Sequence, residues 1–464
     1  MEEFEFQGIW WFPESEDHQV AGTIKFQPMS GTVLEVIGDD FGQINESVDI
    51  ICGFTNKGDP VTLYKCQEIE NTWATGYVGC RYRIQVTFIG CHFTKEEDIV
   101  FDGLQIEYFN FQEWLGITGF TDNSRSFWSD TSSPVEVKYA RPKRIEIQVN
   151  NLNIAFVSWL SPHFDSFDIR LKQSSFIEIT PDKPMHYNQY HRQAIYHLRN
   201  FLTLGIGAPM LPKNVLGKNL KNTREGTEIP RPNEIFYSPK GASVGNKDNI
   251  GSWDMLFRYE DIADNFQRYL QNWFSLAEKL RPVIDIYFGI SYIPSIYIHL
   301  EFLTLTQALE AYHRHMHGGE YMAKENYQSI EQALNDAIPD EVDNGHRDSL
   351  KSRIRYGYQY SLRRRLALIL RDILEPYNQI VNKFFEHQAV FIKKLVDTRN
   401  YYTHYEEGPD SEPITDTNEL YIFVQRMKLL MQLCLFAELE LPAATLEKLL
   451  SQNHKAQGIL RLKG

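Results

Sequence analysis

Three side chains near the C-terminal end of the chain have the types and spacing for proton transfer beside an anion: Arg399, Asn400 and His404. Histidine exchanges protons near neutral pH. Arginine carries a permanent charge on a planar fork that matches the oxygens of a phosphate. An asparagine beside them can orient the imidazole or donate to the same oxygens. Asn400 and His404 are four residues apart and share one helical face, and the long Arg399 side chain reaches back to it. The bare spacing is not specific, because Arg192 and His197 repeat it. Arg399 differs in being followed by asparagine, at the end of an expected helix with a long core helix next in the chain.

The helix that must position these residues is read over 378–404. Its apolar residues Val381, Phe384, Phe385, Ala389, Ile392, Leu395 and Val396 recur at three-to-four spacing. One turn further the stripe reaches Arg399, Asn400, Thr403 and His404, so the inward face is expected to turn polar. A buried or half-buried arginine must be paired or serve a ligand, and local rules break where function sits. Glu406, Glu407, Gly408 and Pro409 end the helix. His404 is left in its last turn, where the helix dipole favours positive charge. The next helix, over 416–439, opens with Asp416 and Glu419 at capping-box spacing. Leu420, Phe423, Val424, Met427, Leu430, Met431 and Cys434 give it a broad apolar face. Two such helices packed antiparallel make a bundle with the polar cluster at one end.

The rest of the chain divides by period. Alternation marks strands at Tyr82, Ile84, Val86 and Phe88, at Ile145, Ile147 and Val149, at Ile24 and Phe26, at Val33, Leu34 and Val36, and at Phe167, Ile169 and Leu171. Breaks at 28–31, 38–40, 56–60 and 122–126 separate them. A helix is read over 186–204, a Pro-, Gly- and Asn-rich loop or linker over 209–251, and long helices near 254–280, 294–317, 324–337 and 345–374. The expected fold is multidomain α+β: a β-rich, antiparallel, sandwich- or barrel-like domain over 1–183, a helical and loop connector over 184–288, and an all-α helical bundle over 289–464.

The run Arg399-Asn400-Tyr401-Tyr402-Thr403-His404 resembles the HEPN ribonuclease signature: Arg, a polar residue, three residues, then His. The upstream segment Phe302-Leu303-Thr304-Leu305-Thr306-Gln307-Ala308-Leu309-Glu310 and the β-rich first half resemble the ApeA group of anti-phage defence proteins, in which an ApeA-type N-terminal domain precedes a HEPN domain. The resemblance covers most of the chain. It implies that Glu310 is the acidic residue supporting the catalytic arginine, although on the sequence alone it pairs equally well with Arg314 one turn on. It also suggests a tRNA substrate, by analogy and not by any residue read here.

RNA carries its own nucleophile, the 2′-hydroxyl. Cleavage needs a base for that proton, an acid for the leaving 5′-oxygen, and a cation for charge building on the phosphorus oxygens. One histidine does not serve as acid and base at one moment, so a homodimer or higher assembly bringing two helix ends to one phosphate is expected. No metal and no cofactor is needed, and the product is a 2′,3′-cyclic phosphate or its hydrolysed form. In the expected role, a latent endoribonuclease is released by a phage-derived trigger, cuts host or phage RNA, and arrests growth in abortive infection. The N-terminal domain is then a sensor. The alternative is a non-catalytic protein whose helical half only dimerises or binds RNA.

Other features carry weaker readings. Arg353, Arg355, Arg363, Arg364, Arg365 and Arg371 interleave with Tyr356, Tyr358 and Tyr360. Arg355, Arg363, Arg364 and Tyr402 are candidate contacts to an unpaired RNA strand, against a plain solvated helix face. Asp397 is read as a local ion-pair partner. His313, His315 and His317 alternate, which puts neighbours on different faces of a helix and argues against a metal site. Cys66, Cys80 and Cys91-His92 assemble into a zinc site only on paper, since core cysteines on strands explain them as well. A net charge of −14 excludes nucleic-acid binding through the overall field and requires a local basic surface for RNA. The start lacks the basic and apolar regions of a secretory signal, and no apolar run spans a bilayer, so a cytoplasmic protein is expected. Aromatics at 13%, Trp10 and Trp11 among them, also fit a carbohydrate-binding sheet domain, but buried core aromatics account for them equally.

Overall fold

Alternating strands have one apolar face each, and that face must be buried. In the computed structural model the first six strands do this by closing on themselves. The structure describes residues 1–37, 41, 47–74, 77–122, 135–220, 231–238, 250–293, 295–406, 408 and 410–461. The turns expected at 38–40 and, beyond Asp122, at 123–126 lie outside the described residues. Strands β1 (Phe4–Trp11), β2 (Val20–Gln27), β3 (Gly31–Ile37), β4 (Val48–Thr55), β5 (Pro60–Ala74) and β6 (Tyr77–Ile89) pair antiparallel in the order β6-β3-β2-β1-β4-β5, and β5 returns to β6. Such a ring has no open edge. Trp10, Ile24, Leu34, Val36, Leu63, Tyr82 and Ile84 fill it. Cys66 and Cys80 lie in the same core, and their thiols donate to the carbonyls of Leu63 and Phe41. Burial pushes the Cys91 thiol up to about 12.

Strands β7 (Gly103–Tyr108), β8 (Ile145–Val149), β9 (Leu152–Phe164), β10 (Ile169–Pro181), β11 (Pro212–Lys218) and β12 (Asn233–Phe236) extend the sheet from β6 in the order β12-β11-β7-β10-β9-β8. Two of these correct the loop reading of 209–251: β11 and β12 are paired strands, and only parts of that stretch, 221–230 and 239–249, lie outside the described residues. Prolines and asparagines hide short strands whose pairing comes from neighbours far along the chain. The alternation at Phe167, Ile169 and Leu171 falls on the β9–β10 hairpin tip, where Phe167 is fully exposed. Helix α1 (Tyr196–Ile206) buries Leu198, Phe201 and Leu202 and ends at Gly207 in the left-handed region. One compact unit comprises Met1–Phe274 with Ser291–Pro294, and the other Ser275–Ile290 with Ser295–Gly464. The segment 184–288, read as a connector, is therefore divided between the two.

The second unit is helical, with α2 (Ile298–His317), α3 (Lys324–Asp336), α4 (Asn344–Arg355), α5 (Leu362–Leu368), α6 (Asn378–Phe384), α7 (Gln388–His404) and α8 (Thr417–Glu438) as its main elements. Helix α8 is long and apolar enough to cross a membrane by composition, but it packs on α2 and most of its apolar window is buried. Three expected helices are broken. The 254–280 helix is α-helical only over Tyr259–Ile262 and Phe266–Lys279, with a tighter turn between them. The 378–404 helix is interrupted after Phe384, where Phe385 leaves the helical region at φ −124° and ψ 41°. His387 then turns the chain at φ 56°. The 345–374 helix is interrupted at 356–361, where Ser361 accepts from the Arg364 N–H at 3.3 Å and caps α5.

Candidate active site

The end of α7 is held by its own inward face. Phe391, Ile392, Leu395 and Thr398 are buried along it. Thr398 Oγ1 accepts from the Ile414 N–H at 2.9 Å, and the Tyr402 hydroxyl donates to the Ile414 carbonyl at 3.2 Å. These two side chains, four apart, tie the returning chain back onto the helix. Two residues on, Asp416 accepts from the Glu419 N–H at 2.8 Å and starts α8. Tyr402 is also packed, with its ring 5.7 Å from His299 and 6.3 Å from Phe302. Tyr402 is thus a positioning residue in this structure, and its hydroxyl is committed.

Asp397 adds a second tie. Its carboxylate takes Lys393 Nζ at 3.0 Å and the Glu412 N–H at 3.1 Å, with Arg363 at 4.0 Å. Burial acts to raise its pKa, but the hydrogen bonds from Lys393 and Glu412 outweigh this and hold it below the usual carboxylate range.

The motif residues lie outside these ties. The expectation that the buried stripe itself turns polar at Asn400, Thr403 and His404 is corrected, for all three are exposed. At 100° per residue the inward line runs Phe391, Leu395, Thr398, Tyr402, which leaves Arg399 on its flank, half-buried. Arg399 Nη1 donates to Asn400 Oδ1 at 3.1 Å, and Thr403 Oγ1 donates to the Arg399 carbonyl at 2.7 Å. Among the described residues Arg399 has no carboxylate partner, and His404 forms no hydrogen bond or ion pair. The helix closes one residue later, where Tyr405 takes φ 54° and its N–H reaches the Tyr401 carbonyl at 2.5 Å. The result is a cation and an imidazole presented to solvent on a helix end that is fixed from behind. The competing pair does not offer this, since Arg192 is exposed and His197 is buried in the core of the first unit.

Glu310 is paired with Arg314 at 3.1 Å, so of its two expected partners the structure records the local one. Arg314 also donates to Gln359 at 3.0 Å. Nearby, Arg365 is only 1% exposed and donates to the carbonyls of Gly318 at 2.5 Å, Gly319 at 3.3 Å and Tyr360 at 3.2 Å, and to His313 Nδ1 at 3.1 Å. It therefore caps the C-terminal end of α2. Burial, then the charges of Arg365 and His317, push His313 down to about 4. His315, by contrast, is exposed.

The basic run accordingly breaks up: Arg365 and Tyr358 are core, while Arg371 binds Asp372 at 2.6 Å. Arg355 and Arg363 are exposed, and Arg364 lies over Tyr360 at 5.6 Å. Only Arg363 is linked to the motif, through Asp397. Asp397 is the local ion-pair partner it was read as, whereas Thr398 was missed as a positioning residue; a buried threonine in an aliphatic stripe was the signal available.

Residues 5–273 match the family described as ApeA N-terminal domain 1, and residues 303–445 match Apea-like HEPN. No curated protein and no solved structure gives a match. Arg399, Asn400, His404, Glu310 and the basic run all fall inside the second match. An Apea-like HEPN domain supports a nuclease-type role in anti-phage defence in general. With more than half of its length matched at the N-terminal side and the helical unit matched behind it, the chain belongs to the ApeA N-terminal domain 1 family and carries an Apea-like HEPN domain.

Proposed function

We propose that this protein is a metal-independent endoribonuclease of anti-phage defence, with Arg399 and His404 as its catalytic pair. The observation that carries the reading is the contrast at the end of α7. Asp397, Thr398 and Tyr402 are bound up in holding the helix, while the half-buried Arg399 and the exposed His404 have no acidic partner among the described residues. An arginine fork of this kind takes phosphate oxygens, and it stabilises the charge of the transition state more than that of the ground state. The His404 imidazole removes the 2′-hydroxyl proton, or returns a proton to the leaving 5′-oxygen. Attack of the 2′-oxygen on phosphorus then expels the 5′-oxygen and leaves a 2′,3′-cyclic phosphate.

Two copies of the chain supply the second histidine, so a homodimer or higher assembly is the active form. Asn400 orients the Arg399 fork, to which it is already hydrogen-bonded. Glu310 acts at one remove, by holding Arg314 beside the capped end of α2. Arg363, with Arg355 and Arg364, supplies local positive charge for the RNA strand in an otherwise acidic protein. The N-terminal unit is a sensor for a phage-derived trigger, the protein acts in the cytoplasm, and tRNA is the substrate suggested by family analogy.

A second reading, RNA binding or dimerisation without turnover, is favoured by the exposure of Arg353 and Arg355, which have no tie to the motif among the described residues. Incubation of the purified protein with total cellular RNA in EDTA, beside Arg399→Ala and His404→Ala, separates the two. The nuclease reading expects cleavage by the wild type, loss in both folded variants, and fragment ends carrying cyclic phosphate. Retained RNA binding with no cleavage, including in extract from infected cells, refutes it.

A further inference from the structure

The first unit contains an arginine that the nuclease chemistry does not use. Arg199 lies on α1, and its guanidinium sits 4.4 Å from the centroid of the Tyr292 ring. Its Nε is shielded from solvent with no hydrogen-bond partner. Among the described residues its guanidinium makes no hydrogen bond and no ion pair. The residue as a whole is half-buried, and the desolvated part of the cation is not repaid by a counter-charge. The stacked tyrosine offsets only part of that cost.

The groups around Arg199 share one chemical character. Tyr108, at the end of β7, is 3% exposed, and among the described residues its hydroxyl also lacks a partner. Tyr237, just beyond β12, and Tyr292 are almost as deeply buried, at 9% and 6%. The Tyr292 hydroxyl is used, 2.8 Å from Thr203 Oγ1, and this fixes the ring on which Arg199 stacks. Burial, then the neighbouring Tyr237 and Tyr292, keep the Tyr108 phenol protonated, although Arg199 opposes them. Burial likewise pushes Tyr237 up to about 12. Among the described residues, the charged group acting on both phenols is Arg199. Hydrogen-bond donors therefore gather here from β7, from the end of β12 and from α1, with no carboxylate among the described residues to receive them.

We propose that Arg199 and the Tyr108 hydroxyl, with Tyr237 beside them, form a binding site for a phosphate group in the N-terminal unit. A phosphate offers acceptor oxygens in several directions, which suits a planar fork and a separate hydroxyl arriving from different elements. The tyrosine rings supply flat apolar walls, so the phosphate is either free or carried by a mononucleotide whose base stacks on them. This site is independent of the nuclease reading, and its occupation by a small anion gives the unit a means of reporting on solution composition.

The test is calorimetric titration of the full chain with inorganic phosphate and with adenosine monophosphate, at constant ionic strength against chloride. Saturable binding by the wild type is expected, with a loss of roughly ten-fold or more in Arg199→Gln and a smaller loss in the isosteric Tyr108→Phe. Repeating the titrations of the wild-type and Arg199→Gln pair in an Arg399→Ala background removes any contribution from the helix end, and the difference between the two is expected to persist there. Tighter binding of the monophosphate identifies a nucleotide site, and equal binding identifies a free-phosphate site. A further readout is the thermal midpoint without ligand. Arg199→Met is expected to hold or raise it, because an unpaired charge is removed, whereas a purely structural arginine would lower it. The proposal is overturned if phosphate and monophosphate give no saturable heat beyond the chloride control. It is equally overturned if folded Arg199→Gln binds as the wild type does.

Discussion

Replacing Thr398 by valine removes one hydroxyl from the end of α7 and little else. The two side chains have the same shape, and Thr398 is fully buried, so packing is retained. What is lost is the acceptor for the Ile414 N–H, now at 2.9 Å. A buried donor left without a partner costs about 1–3 kcal/mol. Taking about 2 kcal/mol, and about 2–4 °C per kcal/mol for a domain of this size, the helical unit should lose roughly 4–8 °C in its thermal midpoint. The loss should also be local. Ile414 stands two residues before the Asp416 cap, so hydrogen exchange at the Ile414 amide should accelerate more than exchange in the middle of α8. The catalytic rate should fall while RNA affinity is largely kept, because the Arg399 fork is present but poorly held. Tyr402→Phe should cost less, since the Ile414 carbonyl keeps a second lone pair for water. If Thr398→Val leaves both the midpoint and the Ile414 exchange unchanged, the tie is not what fixes this helix end, and the argument built on it falls.

Arg365→Met should destabilise the helical unit by about 2–4 kcal/mol, since it strands the carbonyls of Gly318, Gly319 and Tyr360; urea denaturation checks this, and an unchanged midpoint with weakened RNA binding would return Arg365 to the RNA-contact group. His313 is held neutral down to about 4, below its ordinary value of 6.5, so between these values the unfolded chain binds the extra proton. Its contribution to stability is therefore complete above about pH 6.5 and is lost as pH falls towards 4. Denaturation of His313→Gln across that range should give a flatter profile than the wild type. Asp397→Asn should weaken the tie to Lys393 and Glu412 and loosen Arg363, lowering cleavage more than stability. Paired melting curves and initial rates measure the two effects.

The parts of this arrangement that were legible beforehand are those set by local period. The alternation at Tyr82, Ile84, Val86 and Phe88 placed β6, and Asp416 with Glu419 placed the start of α8, because each depends on residues within one element. The closure of the β1–β6 ring was not legible. It rests on β5 pairing with β6 while β6 also pairs with β3, a matter of long-range register. Arg363, Arg364 and Arg365 looked alike as a charge run. Three consecutive helical positions are spread over 200° or so, and only tertiary packing decides that Arg365 is the one turned inward. Glu310 was ambiguous for the same reason, since an i, i+4 partner and a distant arginine are equally compatible with its position.

The stripe of α7 carries the main physical lesson. Reading it inward to Arg399 and His404 put the polar residues in the core, where each would have needed a partner. The structure leaves Arg399 on the flank, turns His404 outward, and sets the buried Thr398 and half-buried Tyr402 on the inward line in their place, which satisfies the backbone of Ile414 from both sides. A functional helix end needs both properties at once: rigidity, which requires committed polar groups, and reactivity, which requires uncommitted ones. Here adjacent residues divide the two tasks, Asp397 and Thr398 taking the first, Arg399 and Asn400 the second. Because Asn400, Thr403 and His404 are open to solvent, this side lacks the enclosure that would exclude water around a reacting phosphate. A second helix end approaching from another copy would supply that enclosure together with the second histidine. On the proposed function, the isolated chain is then the resting form, and assembly around RNA is what would complete the site.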